Sequence, residues 1–412
     1  MKIFADSALS FISERPDATE RSRAWSIFET LGLPTTSDEV WRYAPLGELD
    51  LDRFLVAPTS TKSADSQFAS QLRDQAGLVV RVVDGYYEGS DSLPDGVTVE
   101  TAERVSSLSG DSILARYESD TFAILNDALT PATTILRVAN DVHVERPIVV
   151  LNTTSGVASF SRTQIVLGRG ASATIVEYFE GGHNALVVPL SEYEVGENAS
   201  LRLVTYQRLD SSAWHVARTT GFLQRDARLH QAVIGMGAHY NRSRNDAELL
   251  GAGSHNELRT TFMGSGAQVH DFRTHQFHKA PRTQSTLLSK GAVAGESRCV
   301  YTGLIEIEKG AKRTDARQTN HNLLLSPHAH ADSVPNLDIR ENDVMCAHAS
   351  SVGPLDELQL WYLESRGVSR RDAQRLIIQG FFYEMLATLP HDLAHLVEGD
   401  VTSTLELMKV DQ

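Results

Sequence analysis

Between residues 136 and 350 the sequence almost lacks the three-and-four apolar spacing that marks a helix. In its place stand short runs of β-branched or alternating residues: Ile148–Leu151, Thr163–Leu167, Thr174–Phe179, Leu201–Tyr206 and Ser285–Leu288. Turn residues punctuate them. A turn residue followed by alanine recurs, at Gly170-Ala171, Asn198-Ala199, Asp226-Ala227, Gly266-Ala267 and Gly310-Ala311, with the first two intervals both 28 residues and the last 44. Self-similarity at a period of about 20–50 residues marks a stacked repeat. With strands inside each repeat, the stack is a β-solenoid whose coils touch only their neighbours. A β-sandwich or barrel also shows turns every 8–12 residues or so. The β-rich stretch is long for one sandwich, which favours the solenoid.

The flanks read differently. Ala24, Trp25, Phe28 and Leu31 recur at helical spacing, and Gly32 with Pro34 supplies a stop. Residues 1–75 are therefore expected to be helical, with a short WRYAPL stretch at Trp41–Leu46 and a polar segment near 58–70. Leu78–Gly85 reads as a strand entering a turn, and Asp111–Leu129 as helix. After Pro354, the residues Leu355, Leu358, Trp361 and Tyr362 are expected on one helical face, with Gly367 at the C-cap. Ser369 and Asp372 make a capping-box-like start for a second helix through Leu376, Ile377 and Phe381. Pro390 breaks it, and a third amphipathic stretch runs from Asp392 towards Leu407. So much apolar surface must pack on the solenoid or on a partner. The expected fold is mainly β: a β-solenoid core at 136–353, an N-terminal helical and mixed α/β region at 1–135, and a C-terminal helical domain at 354–412.

Length and charge then remove whole classes of function. At 412 residues more than one folding unit is expected. Lysine and arginine total 38 against 53 aspartate and glutamate, a net charge of −15. That is the wrong sign for the counterion release that drives nucleic-acid binding. Two cysteines, Cys299 and Cys346, exclude a disulfide framework and point to a reducing compartment. The opening MKIFADSALSFISERPD has too short an apolar stretch for a secretory signal. No window approaches about 18 uncharged apolar residues. A cytoplasmic protein that does not bind membrane is expected.

No GxxxxGK[ST] occurs, so no P-loop nucleotide hydrolysis is expected, and GxSxG, HExxH and CxxC are missing too. A polysaccharide-cleaving β-helix would need carboxylates clustered with Arg or Lys along one groove, and none recurs at the coil period. Histidine is the unusual residue, 15 in all, with groups at His270, His275, His278 and at His321, His328, His330. His328 and His330 would face the same way on a strand, and imidazoles suit zinc, iron or copper. The 270–278 group has no local carboxylate or thiol to complete a set and reads as polar residues tolerated on lateral surface. Cys346-Ala347-His348 is sharper. On a strand its two side chains share a face about 7 Å apart. Thiolate and imidazole together suit iron, and a nearby imidazolium would lower the thiol pKa. Two ligands do not make a site, so a partner would have to complete it. Cys299, without a histidine at comparable spacing, is expected to be a buried small hydrophobe.

The run NDVMCAHASSVGPLDELQLWYLESRGVSRRDAQRLIIQG at Asn342–Gly380 closely resembles the C-terminal signature of the SufB/SufD family of iron–sulfur cluster assembly proteins. NHNLLLSPHAHADSVPNLDI at Asn320–Ile339 is similar to that family's penultimate block. The D-V-x-C-x-H pattern at Asp343–His348 resembles the SufD branch. SufB typically has an acidic residue before the histidine, and a functional cysteine where this chain holds Asn320 or His321. Two departures are Ala349-Ser350-Ser351 in place of a common Gly-Ala-Thr, and Met345 in place of a common lysine.

The resemblance implies a right-handed parallel β-helix flanked by helices, serving as a non-enzymatic scaffold subunit. Its partners would be SufB, through the β-helix, and the ATPase SufC, through the C-terminal helices, with a SufD homodimer left open as an alternative in isolation. Iron or a transient iron–sulfur cluster would form at the SufB–SufD interface for transfer to acceptor proteins, iron acquisition being this chain's contribution. His348 and Cys346 are the implied ligands, shared with SufB. Leu355, Leu358, Tyr362, Leu363, Arg366 and Gly367 are the implied SufC-docking residues. A reduced flavin accompanies some assemblies of the family, and no nucleotide is expected on this chain.

Overall fold

In this computed structural model, residues 2–61, 65–386 and 388–407 are described. Each coil gives one strand to each of two facing sheets. The first sheet runs Leu78–Val83, Ile148–Thr154, Ser172–Gly181, Ser200–Leu209, Arg228–Gly235, His255–Gly264, Gln284–Val293, Thr314–Leu324 and Val344–Gly353. The second runs Thr133–Val138, Arg162–Leu167, Leu190–Val195, Trp214–Leu223, Tyr240–Leu249, Val269–His278, Arg298–Ile307 and His330–Ile339. Successive strands in both are parallel, giving a mainly β chain built on a solenoid of about 8 turns.

One stacked corner accounts for the 28-residue spacing. Ala171, Ala199, Ala227, Ser254, Thr283 and Ala311 fall 27–29 residues apart and are all buried. The residue before each (Gly170, Asn198, Asp226, Gly253, Arg282 and Gly310) has φ between 55° and 98°. Glycine, asparagine and aspartate tolerate that left-handed conformation best. At Gly170, Asn198 and Asp226 the backbone N–H donates to a carbonyl of the next coil at 2.8–3.0 Å, so the turns themselves stack. Gly266-Ala267 belongs instead to the opposite corner, between Gly264 and Val269. The five turn–alanine pairs are therefore two families of turns, which is why the later intervals are not multiples of 28.

Alternate side chains enter the interior. In the N-terminal coils it is apolar, with Val80, Ile148, Val150, Ile175, Leu201 and Leu203 packed on Leu136, Ile165, Val195 and Leu223. Towards the C-terminus it turns polar: Thr260, Thr274, Gln276, Ser289, Gln318, Asn320 and Asn322 are all buried. Interior glycines make room for rings. A Cβ on Gly291 would lie 2.0 Å from the Phe262 ring and 2.8 Å from Asn322 Oδ1. Gly291→Ala should cost about 1–3 kcal/mol by overpacking. It should appear as a lower urea midpoint at unchanged slope.

The N-terminal helices are α1 (Lys2–Ser13), α2 (Ala18–Leu31), α3 (Gln67–Gln75), α4 (Ile113–Arg116) and α5 (Thr121–Leu129). Phe4, Trp25, Phe28, Phe122 and Leu125 join Trp214, Val216 and Tyr240 on the outer face of the second sheet. The C-terminal helices α6 (Glu357–Ser365), α7 (Arg370–Leu386) and α8 (His391–Leu407) cover the outer face of the first sheet. There Ile378, Phe382, Leu393, Val397 and Val401 share one core with Phe68 and Leu72 of α3 and with Val149, Val176, Tyr178, Val204 and Tyr206. Asp400 on α8 accepts from the Tyr206 hydroxyl and pairs with Arg208 at 2.9 Å. The tail packs on the solenoid.

Local signals at the tail hold. Val368 N–H bonds the Leu363 carbonyl at 3.2 Å and Gly367 N–H that of Glu364 at 3.0 Å, with Gly367 at φ 86°. This is the double-bonded glycine C-cap. Asp372 N–H donates to Ser369 Oγ at 3.2 Å, and that hydroxyl donates to the Asp372 carboxylate at 2.7 Å. The expected apolar face is corrected. Leu355 precedes α6 and is buried, Leu360 and Leu363 turn inward, and Leu358, Trp361 and Tyr362 are 76%, 66% and 54% exposed. α6 is apolar on both sides, so spacing alone could not choose the inner one.

Candidate functional site

The two ends of the solenoid differ. At the N-terminal end the antiparallel strands Tyr86–Ser90 and Val97–Ala102 finish the sheets. At the C-terminal end His330–Ile339 and Val344–Gly353 are edges with no further strand among the described residues. The interior therefore opens as a mouth. Alternation places Val344, Cys346, His348, Ser350 and Val352 on its first-sheet side. Ala331, Ser333, Pro335, Leu337 and Ile339 line the other. Ser350 Oγ meets Ser333 Oγ across the gap at 2.7 Å. Leu337, Ile339 and Val352 are 37%, 42% and 42% exposed, an apolar rim around a polar centre.

Cys346 and His348 share the inward face of this last strand, as their spacing predicts. Cys346 is half-buried against Ile305, Ile307, Ala311 and Ala316, while His348 is exposed at the rim. The thiol is not activated here. Burial, and then the charge of Asp315, push its pKa up from 9.0, against the lowering expected from a neighbouring imidazolium. In this chain alone Cys346 is a thiol at neutral pH. Among the described residues no group of three or more His, Cys, Asp or Glu side chains is arranged to hold a metal ion. What the mouth presents is one thiol and one imidazole on the same face, two side-chain types that suit iron.

The other singled-out residues do not converge on it. His270 and His278 lie inside the solenoid rather than on its lateral surface, and burial pushes both pKa values down to about 4. His278 bonds Thr283 Oγ1 and Ser285 Oγ at 2.8 and 2.9 Å. His275 points outward to Glu306 at 3.2 Å. His328 sits in a turn and not on a strand, so the expected His328–His330 pair does not form; His330 faces Asp332 at 3.4 Å. His321 points outward to Ser351 Oγ at 2.6 Å, whereas Asn320 faces the interior directly beneath Ser350. Cys299 is fully buried with Phe272 and Tyr301, the packing role expected of it.

A second surface lies on α6. Leu358, Trp361 and Tyr362 stand outward there, and the Arg366 guanidinium lies 5.3 Å from the Tyr362 ring centre. Arg370 pairs with Glu357 at 2.9 Å and holds the start of α7 to α6. Of the six expected docking residues, Leu355 and Leu363 support this helix from beneath, and Leu358 and Tyr362 face solvent. Arg366 and Gly367 form its end. No helix among the described residues is long and apolar enough to cross a membrane.

Known proteins resemble this chain over most of its length. The family model of the SUF system FeS cluster assembly SufBD core domain matches residues 149–381. The chain is 29% identical to the iron–sulfur cluster assembly protein SufD of Escherichia coli over 371 residues, covering 87% of this chain and 86% of the relative. It is 28% identical to SufD of Bacillus subtilis over 350 residues, 82% of this chain and 76% of the relative. An iron–sulfur cluster assembly SufBD family protein of Mycobacterium tuberculosis is 27% identical over 380 residues, 87% and 85% of the two chains.

Proposed function

The chain belongs to the SufBD core family of iron–sulfur cluster assembly proteins, and from that premise we propose that it is a non-enzymatic scaffold subunit of a SufBCD complex. Its place in iron–sulfur cluster assembly follows from the family and its SufD relatives. The finer role is carried by one observation, the open last coil. Two edge strands leave backbone N–H and C=O groups unpaired beside two iron-compatible side chains. Isolated proteins blunt such edges with charges, bulges or covering loops. Pro335 blunts one of these edges, and the apolar rim along the rest fits a partner solenoid docked end-on. That partner is SufB, which brings the thiolate that Cys346 and His348 lack. A second copy of this chain is the alternative occupant, distinguished by co-expression with and without SufB.

Iron and the nascent cluster are cargo at this interface, destined for acceptor proteins. His348, exposed and free of a carboxylate partner among the described side chains, takes iron through an imidazole nitrogen. Cys346 stands behind it as a thiol that gives up its proton only when a metal approaches. The outward face of α6 fits SufC, whose nucleotide chemistry this chain lacks the P-loop to perform. The cytoplasm, where thiols stay reduced, is the compartment that suits two unpaired cysteines.

The test is His348→Ala in the complex purified with SufB and SufC. Subunit stoichiometry should be unchanged. Iron per complex should fall about tenfold, the change that about 1.4 kcal/mol of lost binding produces. Equal iron loading and equal cluster transfer would return His348 to a structural role.

A further inference from the structure

Directly beneath the mouth, the strand Thr314–Leu324 turns Gln318, Asn320 and Asn322 inward. In the ladder their partners are His348, Ser350 and Val352 of the last coil. The three amides are 1%, 0% and 2% exposed, and none of their six side-chain nitrogen and oxygen atoms has a hydrogen-bond partner among the described residues. The Gln318 amide crosses the interior to the backbone of Gly303 on the facing sheet, where a Cβ would lie 2.5 Å from both its Nε2 and Oε1. Deeper coils are partly paired: Thr260 donates to Ser289 at 2.7 Å and Asn256 to Gln276 at 2.6 Å, which leaves Asn256 Oδ1 and Gln276 Nε2 unpartnered but each amide with one bond. Buried polar groups left unpaired carry their full desolvation penalty. Here three neighbouring residues carry it together, one coil below the open end.

We infer that this amide floor is completed by the cargo. Asn320 donates an N–H bond to an inorganic ligand (sulfide, hydroxide or water) on iron held at His348, and Gln318 orients the imidazole above it. The inference rests on the proposed role of His348. Amide N–H groups stabilise the negative charge on metal-bound sulfide or hydroxide, and an amide carbonyl accepts from an imidazole N–H to fix its tautomer. A neutral floor of donors and acceptors serves both without adding a competing charge. Gln318 is a positioning residue in this arrangement, and Asn320 touches the cargo itself.

Gln318→Met and Asn320→Val separate this role from a packing role by pairing two measurements. In the isolated full chain each removes an unpartnered amide, so the melting temperature should hold or rise. In the complex with SufB and SufC the same variants should retain iron about tenfold less well, the lower end of the usual loss when a ligand's supporting group is removed. Gln318→Glu, which keeps an acceptor beneath the imidazole, should restore part of the iron. Unchanged iron overturns the inference. So does a lower melting temperature in the isolated chain, which would make the amides ordinary core partners. If these variants keep their iron while His348→Ala loses it, the floor fails and the proposed function stands. If His348→Ala also keeps its iron, that function fails first.

Discussion

A chain ending at Gly353 should not fold cooperatively. The three C-terminal helices bury Ile378, Phe382, Leu386, Leu393, Val397 and Val401 against the first sheet. Each large apolar side chain contributes about 1.5–3 kcal/mol, so these six together reach about 9–18 kcal/mol. That matches or exceeds the net stability of about 5–15 kcal/mol that a protein usually has. Truncation would also bare Val149, Val176, Tyr178, Val204 and Tyr206 to water. The expected result is aggregation, with no cooperative transition in a circular-dichroism melt. A monodisperse truncated solenoid with a sharp melt would refute the shared core. The proposed SufC docking surface on α6 has its own test, in the full chain. Leu358→Asp with Trp361→Asp should change stability by no more than about 0.5 kcal/mol per substitution, as surface changes do. It should nevertheless abolish co-purification with SufC.

Replacing Glu177 should stabilise the protein, and by an amount that depends on pH. Glu177 is buried inside the solenoid, where its carboxylate accepts from Ser191 Oγ at 2.9 Å. Burial pushes its pKa up from 4.5 to about 7. Below 4.5 the folded and unfolded chains both hold the proton, and the group has no effect on stability. Between 4.5 and about 7 the unfolded chain releases it first, so stability falls as pH rises. Above about pH 7 the folded state carries the whole penalty, about 3 kcal/mol. Glu177→Gln removes the titration. Its gain in urea midpoint should be absent at pH 4, grow through pH 4.5–7 and level off above. A gain that does not vary with pH would show the folded carboxyl titrating where the unfolded one does, with no rise from burial.

The sequence by itself determined what is local. Turn residues at Gly170, Asn198 and Asp226 announce a stacked corner because a left-handed backbone favours few residue types. The caps at Gly367 and Ser369 are legible because their hydrogen bonds span only a few residues. Cys346 and His348 share a face because a strand repeats every two residues. That same period shows that Gln318, Asn320 and Asn322 lie together, yet it does not say which way they face, and a polar row is ordinarily read as solvent-facing. Only the tertiary structure turned them inward, as it did His270 and His278, since orientation depends on what packs over each face from far along the chain. It alone chose Leu360 over Leu358 as the buried side of α6, and it set the Cys346 thiol by a burial and an Asp315 charge that Ala347 and His348 do not reveal. The open mouth, too, belongs to the assembled stack: each coil is specified by its own turns, and which coil goes uncovered is decided only where the last strand finds no successor among the described residues.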